Sequence, residues 1–149
     1  IWFHFFGYLP SPHFWLPLFV YMGMYKGFHI SFIWLLITFF ILSSYTVALS
    51  AALFFTLLVA HLFILFMQKR FSMMSLTDFL LITGLSSLLF PLLYFGLSSL
   101  SAYATPFSVT DWLISFALTL PVSPLLLFIF KQFNILIPID TYKEIQIKL

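Results

Sequence analysis

Long stretches without an Asp, Glu, Lys or Arg residue restrict the fold of this chain more than any other feature. They cover residues 1–25, 27–68, 79–110 and 112–130. Charged residues make up 7% of the 149 residues and hydrophobic residues 63%, whereas soluble domains carry about 25% charge. Because six basic and four acidic side chains cannot cover a water-facing surface, the composition excludes a soluble globular protein and predicts helices within a lipid bilayer.

Proline and polar residues divide these runs into helices. A helix needs about 20 apolar residues to cross the hydrocarbon, so the run 27–68 is expected to hold two helices with a turn at 43–46. We predict an all-α polytopic membrane bundle of five to six transmembrane segments over residues 1–133, followed by a cytoplasmic tail at 134–149. The predicted helices cover 12–25, 28–43, 47–68, 76–98 and 109–133, and residues 1–9 are expected to end a helix that starts before Ile1.

The segment 12–25 is too short to cross a bilayer. Its residues reach about 21 Å at 1.5 Å per residue. We therefore expect this segment to thin the bilayer, to pack against neighbouring helices or to be partly re-entrant.

The basic residues fix a predicted orientation. With alternating crossings, all of them fall on one side of the membrane, and the opposite loops contain none. Since cytoplasmic loops are rich in Lys and Arg, this side and the C-terminus are predicted to be cytoplasmic. The six residues are Lys26, Lys69, Arg70, Lys131, Lys143 and Lys148.

Two acidic residues lie near predicted helix starts. A carboxylate inside a membrane would be a functional candidate. However, Asp78 and Asp111 each follow a Ser by three residues, at Ser75 and Ser108, and each precedes an apolar run. This spacing is that of a capping box, so we predict that both acids stabilise helix starts.

His61 is the deepest ionisable residue, about 12 Å from the basic side by helix rise. It is a possible intramembrane polar site, either as a proton relay or ligand or as a neutral side chain hydrogen-bonded to a neighbouring helix. The other histidines have no i,i+3 or i,i+4 partner and the chain has no cysteine, so no metal site is predicted. The intramembrane residues that could bind a small molecule are His61, Trp34, Thr38, Ser86 and Ser87.

Small residues recur at every fourth position from residue 44 into the predicted helix 47–68. Such residues let helix backbones approach closely in lipid, so they predict either internal packing or a docking face for a partner helix. A second patch is formed by Gly23 and Gly27. The row consists of Ser44, Ala48, Ala52, Thr56 and Ala60.

Two prolines, Pro121 and Pro124, lie inside the last predicted helix. Each proline lacks an N–H and frees a backbone carbonyl. The hydroxyls of Thr119 and Ser123 are expected to satisfy those groups.

Catalytic motifs are missing from the sequence. It contains no Gly-rich phosphate loop, no G-x-S-x-G, no H-E-x-x-H and no paired carboxylates. We therefore predict no enzymatic activity, no cofactor and no nucleic-acid partner.

The order of these features resembles the MreD family over roughly residues 9–135. Pro12 to Leu16, leading to Tyr21, resembles the family's short Pro-initiated helix, and Lys26-Gly27 resembles the basic turn after it. The polar stretch from Ser43 to Ala52, with the helix ending at Lys69-Arg70, and the Pro-containing segment from Leu120 to Lys131 also fit. The stretch 39–42 lacks the Gly and Asp residues that the family often has there.

This resemblance implies a non-enzymatic scaffold of the bacterial inner membrane. MreD-like proteins act with MreC-like proteins, and through them with MreB-like filaments and wall synthases, in cell-wall elongation and rod-shape maintenance. Their fold is thought similar to the substrate-binding components of vitamin transporters. Two alternatives therefore stay open: a small-molecule-binding transporter component, and an accessory subunit of a larger membrane complex.

Overall fold

The computed structural model describes residues 12–45, 50–70, 75–100 and 108–136, without the side chains of Tyr45 and of residues 133–136. All regular secondary structure in these ranges is α-helical, which confirms the predicted all-α class. The predictions for residues 1–9, for Ala48 and for residues 137–149 of the tail lie outside the described residues. The predicted start of the tail at 134 is wrong, because residues 134–136 continue the last helix. The helices are α1 (Trp15–Tyr25), α2 (Phe28–Tyr45), α3 (Ser50–Arg70), α4 (Leu76–Ser99) and α5 (Val109–Leu136).

Three helices are long and apolar enough to cross a membrane. They are Ser50–Arg70, Leu76–Ser99 and Val109–Gln132, with a mean hydropathy of 2.3, 1.9 and 2.3. The bundle buries 39%, 33% and 22% of their most apolar windows, respectively. Most side chains of these helices therefore face outward, as expected for helices whose solvent is lipid.

Contacts between side chains establish the direction of each helix. Helix α1 runs parallel to α5, because His13 contacts Thr119 near one end and Tyr25 contacts Lys131 near the other. Helices α2 and α3 are antiparallel, since Phe39 of α2 packs on Phe54 of α3 near the end opposite His61 and its contact Phe28. Helices α4 and α5 are antiparallel too, since Trp112 of α5 contacts Ser87, whereas the later Leu120 faces the earlier Gly84. The described helices thus alternate in direction along the chain, as predicted.

The short helix α1 occupies the centre of the bundle. It contacts all four other described helices, which surround it in chain order, whereas α2 and α5 do not contact each other. The side chains of Phe19, Val20 and Met24 are almost completely buried. Of the three expectations for this short segment, the structure therefore shows packing against neighbours.

Helix α4 begins with the predicted capping box. The Ser75 hydroxyl accepts a hydrogen bond from the Asp78 N–H at 3.1 Å, and the Asp78 carboxylate accepts one from the Ser75 N–H at 3.0 Å. At the start of α5, the Ser108 hydroxyl accepts a bond from the Asp111 N–H at 3.3 Å, which is one half of the second predicted box.

The polar pair Ser43-Ser44 does not form the predicted turn. Both hydroxyls donate to the carbonyl oxygen of Phe40, at 3.0 and 2.8 Å, and α2 continues to Tyr45. Serine side chains bonded back to the preceding turn can remain within a helix. The prediction of a turn at 43–46 is therefore wrong for residues 43–45.

Prolines inside α5 do not interrupt it, since the helix runs without a break from Val109 to Leu136. The expected compensation is wrong in detail. Thr119 donates to the carbonyl of Ser115, and Ser123 donates to the carbonyl of Thr119, both at 2.6 Å. The prolines free the carbonyls four residues before them, at 117 and 120, so the two hydroxyls bond to other groups.

Candidate functional site

The predicted row of small residues lies partly inside the bundle. Ala52, Thr56 and Ala60 of α3 are buried, and Ala60 is 0% exposed. Thr56 donates its hydroxyl to the Ala52 carbonyl at 2.7 Å and so needs no partner from another helix. Ser44 is exposed and belongs to α2. Because α2 continues past it, assigning Ser44 to the same row as the α3 residues is wrong.

The two glycines of the predicted second patch have different surroundings. A Cβ atom on Gly23 would lie 2.6 Å from Cγ2 of Ile64 on α3, so α1 and α3 approach closely at this point. A Cβ atom on Gly27 would have no neighbour within 4 Å. Gly27 lies in the connection between α1 and α2. Gly27 therefore does not pack inside the bundle, and the alternative of a partner face at this position stays a prediction.

His61 lies where α1, α2 and α3 meet, and is 1% exposed. Its ring centroid is 5.8 Å from that of Phe19 on α1, and 6.2 and 6.5 Å from those of Phe28 and Phe32 on α2. Neither ring nitrogen has a hydrogen-bond partner among the described residues. The predicted hydrogen bond to a neighbouring helix is therefore not formed by these residues, and His61 has aromatic neighbours instead.

Other buried polar residues lie on different helices. Thr83 and Ser86 of α4 are fully buried, and their hydroxyl oxygens have no partner among the described residues. Ser87 donates to the carbonyl of Gly84 within its own helix at 2.9 Å. Thr38 lies on α2, which does not contact α4 in the part of the chain that the structure describes. The candidate residues for a small-molecule site are thus not brought to one place.

Thr83 is a buried polar residue that the sequence analysis missed. Its position in an apolar run did not identify it, because a Thr can bond back to its own helix and can then face either lipid or the interior. Only the packing of α4 against α1, α3 and α5 places it inside.

The basic residues within the described ranges lie at one end of the bundle. At this end, Gln68 donates to the carbonyl of Met24 at 2.8 Å, which places the C-terminal ends of α1 and α3 side by side. The Lys131 ammonium lies 6.0 Å from the centre of the Tyr25 ring and brings the last turns of α5 to the same place. We call this region, formed by Lys26, Lys69, Arg70 and Lys131, the basic end.

Exposure differs among the residues of the basic end. Lys69, Arg70 and Lys131 are exposed, whereas Lys26 is 5% exposed. The Arg70 guanidinium lies 5.4 Å from the centre of the Phe66 ring. The burial of Lys26 is a second feature that the sequence analysis missed, since a Lys between two helices is usually solvated.

His13 lies at the opposite end of α1, before the helix begins. Its backbone N–H donates to the Thr119 hydroxyl at 3.0 Å. Neutral histidine can hold a metal, but the described residues contain no group of three or more His, Cys, Asp or Glu side chains that could bind one.

No protein-family model matches this sequence, and neither a curated protein nor a solved structure matches it.

Proposed function

We propose that this chain is a non-enzymatic membrane scaffold similar to MreD, which helps to organise the cell-wall elongation complex and to maintain rod cell shape. The observation that carries this proposal is the filled centre of the bundle. A substrate-binding component needs a cavity with converging polar groups. Here α1 contacts every other described helix, and its buried side chains Phe19, Val20 and Met24 lie in the core.

The acidic residues also favour a role without chemistry. Asp78 accepts the N–H of Ser75 in a helix cap, and Asp111 lies in the first turn of α5. Helices α4 and α5 are antiparallel neighbours, since Trp112 contacts Ser87 and the later Leu120 faces the earlier Gly84. The two carboxylates therefore lie at opposite ends of the bundle and cannot act as a catalytic pair.

The outer faces supply surface for partners. Helix α5 buries the smallest share of its apolar window, 22%. Its side chains Leu125 and Phe128 are 63% and 64% exposed. Such faces contact lipid tails or the transmembrane helices of other proteins. We propose that an MreC-like protein packs here and links the bundle to wall synthases and to MreB-like filaments.

The proposed location is the bacterial inner membrane, with the C-terminus in the cytoplasm. The basic end supports this orientation, because Lys and Arg residues accumulate on the cytoplasmic side of membrane proteins. The C-terminal end of α5 lies at this end of the bundle.

Complementation tests this proposal. The chain is expressed in a rod-shaped bacterium that lacks its own MreD-family protein, together with the MreC-like protein encoded in the same genome as the chain. We expect rod shape to return and the MreC-like protein to co-purify with the tagged chain. An unrelated small polytopic membrane protein with the same tag serves as the control. Round cells and a chain that purifies alone, despite normal insertion, would contradict the proposal.

The alternative of a small-molecule-binding component rests on His61. Its two ring nitrogens have no partner among the described residues, and an unbonded polar group in the interior is costly. Mass spectrometry of the chain purified in mild detergent tests this alternative. A stoichiometric small molecule that is lost in the His61→Phe variant would favour it over the scaffold. Co-purification with the subunits of another membrane assembly would instead favour an accessory subunit.

A further inference from the structure

We propose that the basic end binds the phosphate groups of anionic phospholipids through Lys69, Arg70 and Lys131. This inference does not depend on the scaffold function, because it concerns the lipid that surrounds the bundle. It rests on the position of these three cations, on the excess of positive over negative charge at this end and on the way that two of the side chains are held.

The three cations lie at the level where hydrocarbon meets the headgroups. The apolar part of α3 from Ser50 to Gln68 measures about 28 Å at 1.5 Å per residue, which is close to the thickness of the hydrocarbon. Lys69 and Arg70 follow directly. Lys131 comes at the end of the apolar run of α5 and lies above the Tyr25 ring at the same end.

Among the described residues of the basic end, positive charges outnumber negative ones. Asp78 is the one carboxylate in the described ranges that lies there, and it is bonded to the Ser75 N–H in the cap of α4. Asp111 lies at the opposite end. Lys26 is buried and is not part of the proposed site. The exposed cations Lys69, Arg70 and Lys131 therefore leave a net positive charge at the surface that faces the headgroups.

Two of the cations are held against aromatic rings. The Arg70 guanidinium lies over Phe66 at 5.4 Å, and the Lys131 ammonium lies over Tyr25 at 6.0 Å. A cation over a ring face is attracted to it, and its apolar stem lies along the bundle while the charged group stays at the membrane surface. Ordering of the side chains before binding reduces the entropy that a headgroup contact must offset.

The chemistry of these groups selects a phosphate. A guanidinium and an ammonium both bind phosphate oxygens through charge-assisted hydrogen bonds. In a membrane, phosphates without a compensating choline or ethanolamine belong to anionic phospholipids such as phosphatidylglycerol. Attraction of a basic side chain to an anionic leaflet is equivalent to roughly fivefold in affinity for each cation, and salt weakens it.

Native mass spectrometry of the full chain in detergent tests the proposal. Phosphatidylglycerol and phosphatidylcholine with the same acyl chains are supplied in equal amounts. We expect phosphatidylglycerol adducts to dominate by roughly fivefold for each cation that a headgroup contacts, and the preference to fall at high salt. A preference for phosphatidylcholine, or a phosphatidylglycerol preference that salt does not change, would overturn the proposal.

Variants locate the site. Lys69→Gln/Arg70→Gln/Lys131→Gln should abolish the preference, whereas Lys143→Gln/Lys148→Gln, which removes tail charges of the same sign, should keep it. Equal loss in both variants would overturn the assignment to the basic end. If the triple variant fails to fold, the three single variants are compared, each of which should lower the preference.

Two further measurements distinguish a lipid headgroup from the other possible sources of negative charge, which are a free phosphate and the acidic residues of the tail. Glycerol phosphate without acyl chains should not bind detectably at concentrations where the lipid does, and equal binding would overturn a lipid site. Asp140 and Glu144 of the tail are the remaining acids of the chain. Asp140→Asn/Glu144→Gln should leave the lipid preference unchanged. A large gain in this variant would mean that the tail neutralises the basic end, and would also overturn the proposal.

Discussion

Replacing Gly23 by Ala should destabilise the bundle. The added Cβ would lie 2.6 Å from Cγ2 of Ile64 and 3.5 Å from its Cβ. Ile64 is completely buried, and its Cγ2 methyl is attached directly to the branched Cβ, so it cannot rotate away easily. Overpacking of this kind costs about 1–3 kcal/mol, whereas Ala in a helix gains about 1 kcal/mol over Gly. We expect a net loss of up to about 2 kcal/mol.

Gly27→Ala is the matched control for this prediction. It adds the same methyl group four residues away, where no atom lies within 4 Å. We therefore expect its stability to be unchanged or slightly raised, by up to about 1 kcal/mol, since Ala restricts the unfolded chain. Both variants are compared with the parent by reversible unfolding in mixed detergent micelles, followed by tryptophan fluorescence. Equal stability of the two variants would refute the close approach of α1 and α3.

A double-mutant cycle assigns the loss to one contact. Ile64→Ala alone should cost about 2–5 kcal/mol because it leaves a cavity. In Gly23→Ala/Ile64→Ala, the added methyl enters the vacated space. The double variant should therefore lose less than the sum of the single variants, by about 1–2 kcal/mol. Additive losses would mean that Gly23→Ala acts elsewhere.

Three further substitutions test the interior and the caps. Ala52→Leu should destabilise the bundle in detergent by about 1–3 kcal/mol through overpacking. The control Ala51→Leu, on the exposed face of α3, should not destabilise it. Equal effects of the two variants would mean that the small-residue row faces lipid. Ser75→Ala should cost about 1 kcal/mol by removing the α4 cap, seen as faster hydrogen exchange in its first turn, and unchanged exchange would contradict the cap. His61→Phe should raise the stability of the bundle by up to about 1 kcal/mol, because it removes two unpaired nitrogens. The control His29→Phe, on the exposed face of α2, should change stability by less than about 0.5 kcal/mol. A marked loss of stability in His61→Phe alone would reveal a partner of the imidazole.

The helix boundaries could be predicted because charge and helix breakers act locally. Lys26-Gly27 and Lys69-Arg70 end apolar runs, and helices end at or next to both pairs. The box at Ser75 and Asp78 involves residues three apart, so its spacing alone indicated the cap. Alternating directions followed from apolar segments joined by short connections. These features need no knowledge of which helices are neighbours.

Tertiary packing decided the features that could not be predicted. Gly23 and Gly27 are the same residue type in one pattern, four positions apart, yet only Gly23 faces a neighbouring helix. Likewise, the short length of α1 allowed three placements, and its central position became apparent only from its contacts with the other helices. His61 was expected to find a hydrogen-bond partner, but sequence cannot show that its neighbours are three phenyl rings.

The central claim is a membrane bundle whose described basic residues share one end, and cysteine accessibility tests it most directly. The chain has no cysteine, so single cysteines at Lys69, Lys131, Leu100 and Ser108 can each be labelled with a membrane-impermeant maleimide in oriented vesicles. We predict that Lys69→Cys and Lys131→Cys react from one side, the cytoplasmic side, and that Leu100→Cys and Ser108→Cys react from the other. Labelling of Lys69→Cys and Leu100→Cys from the same side would contradict the account.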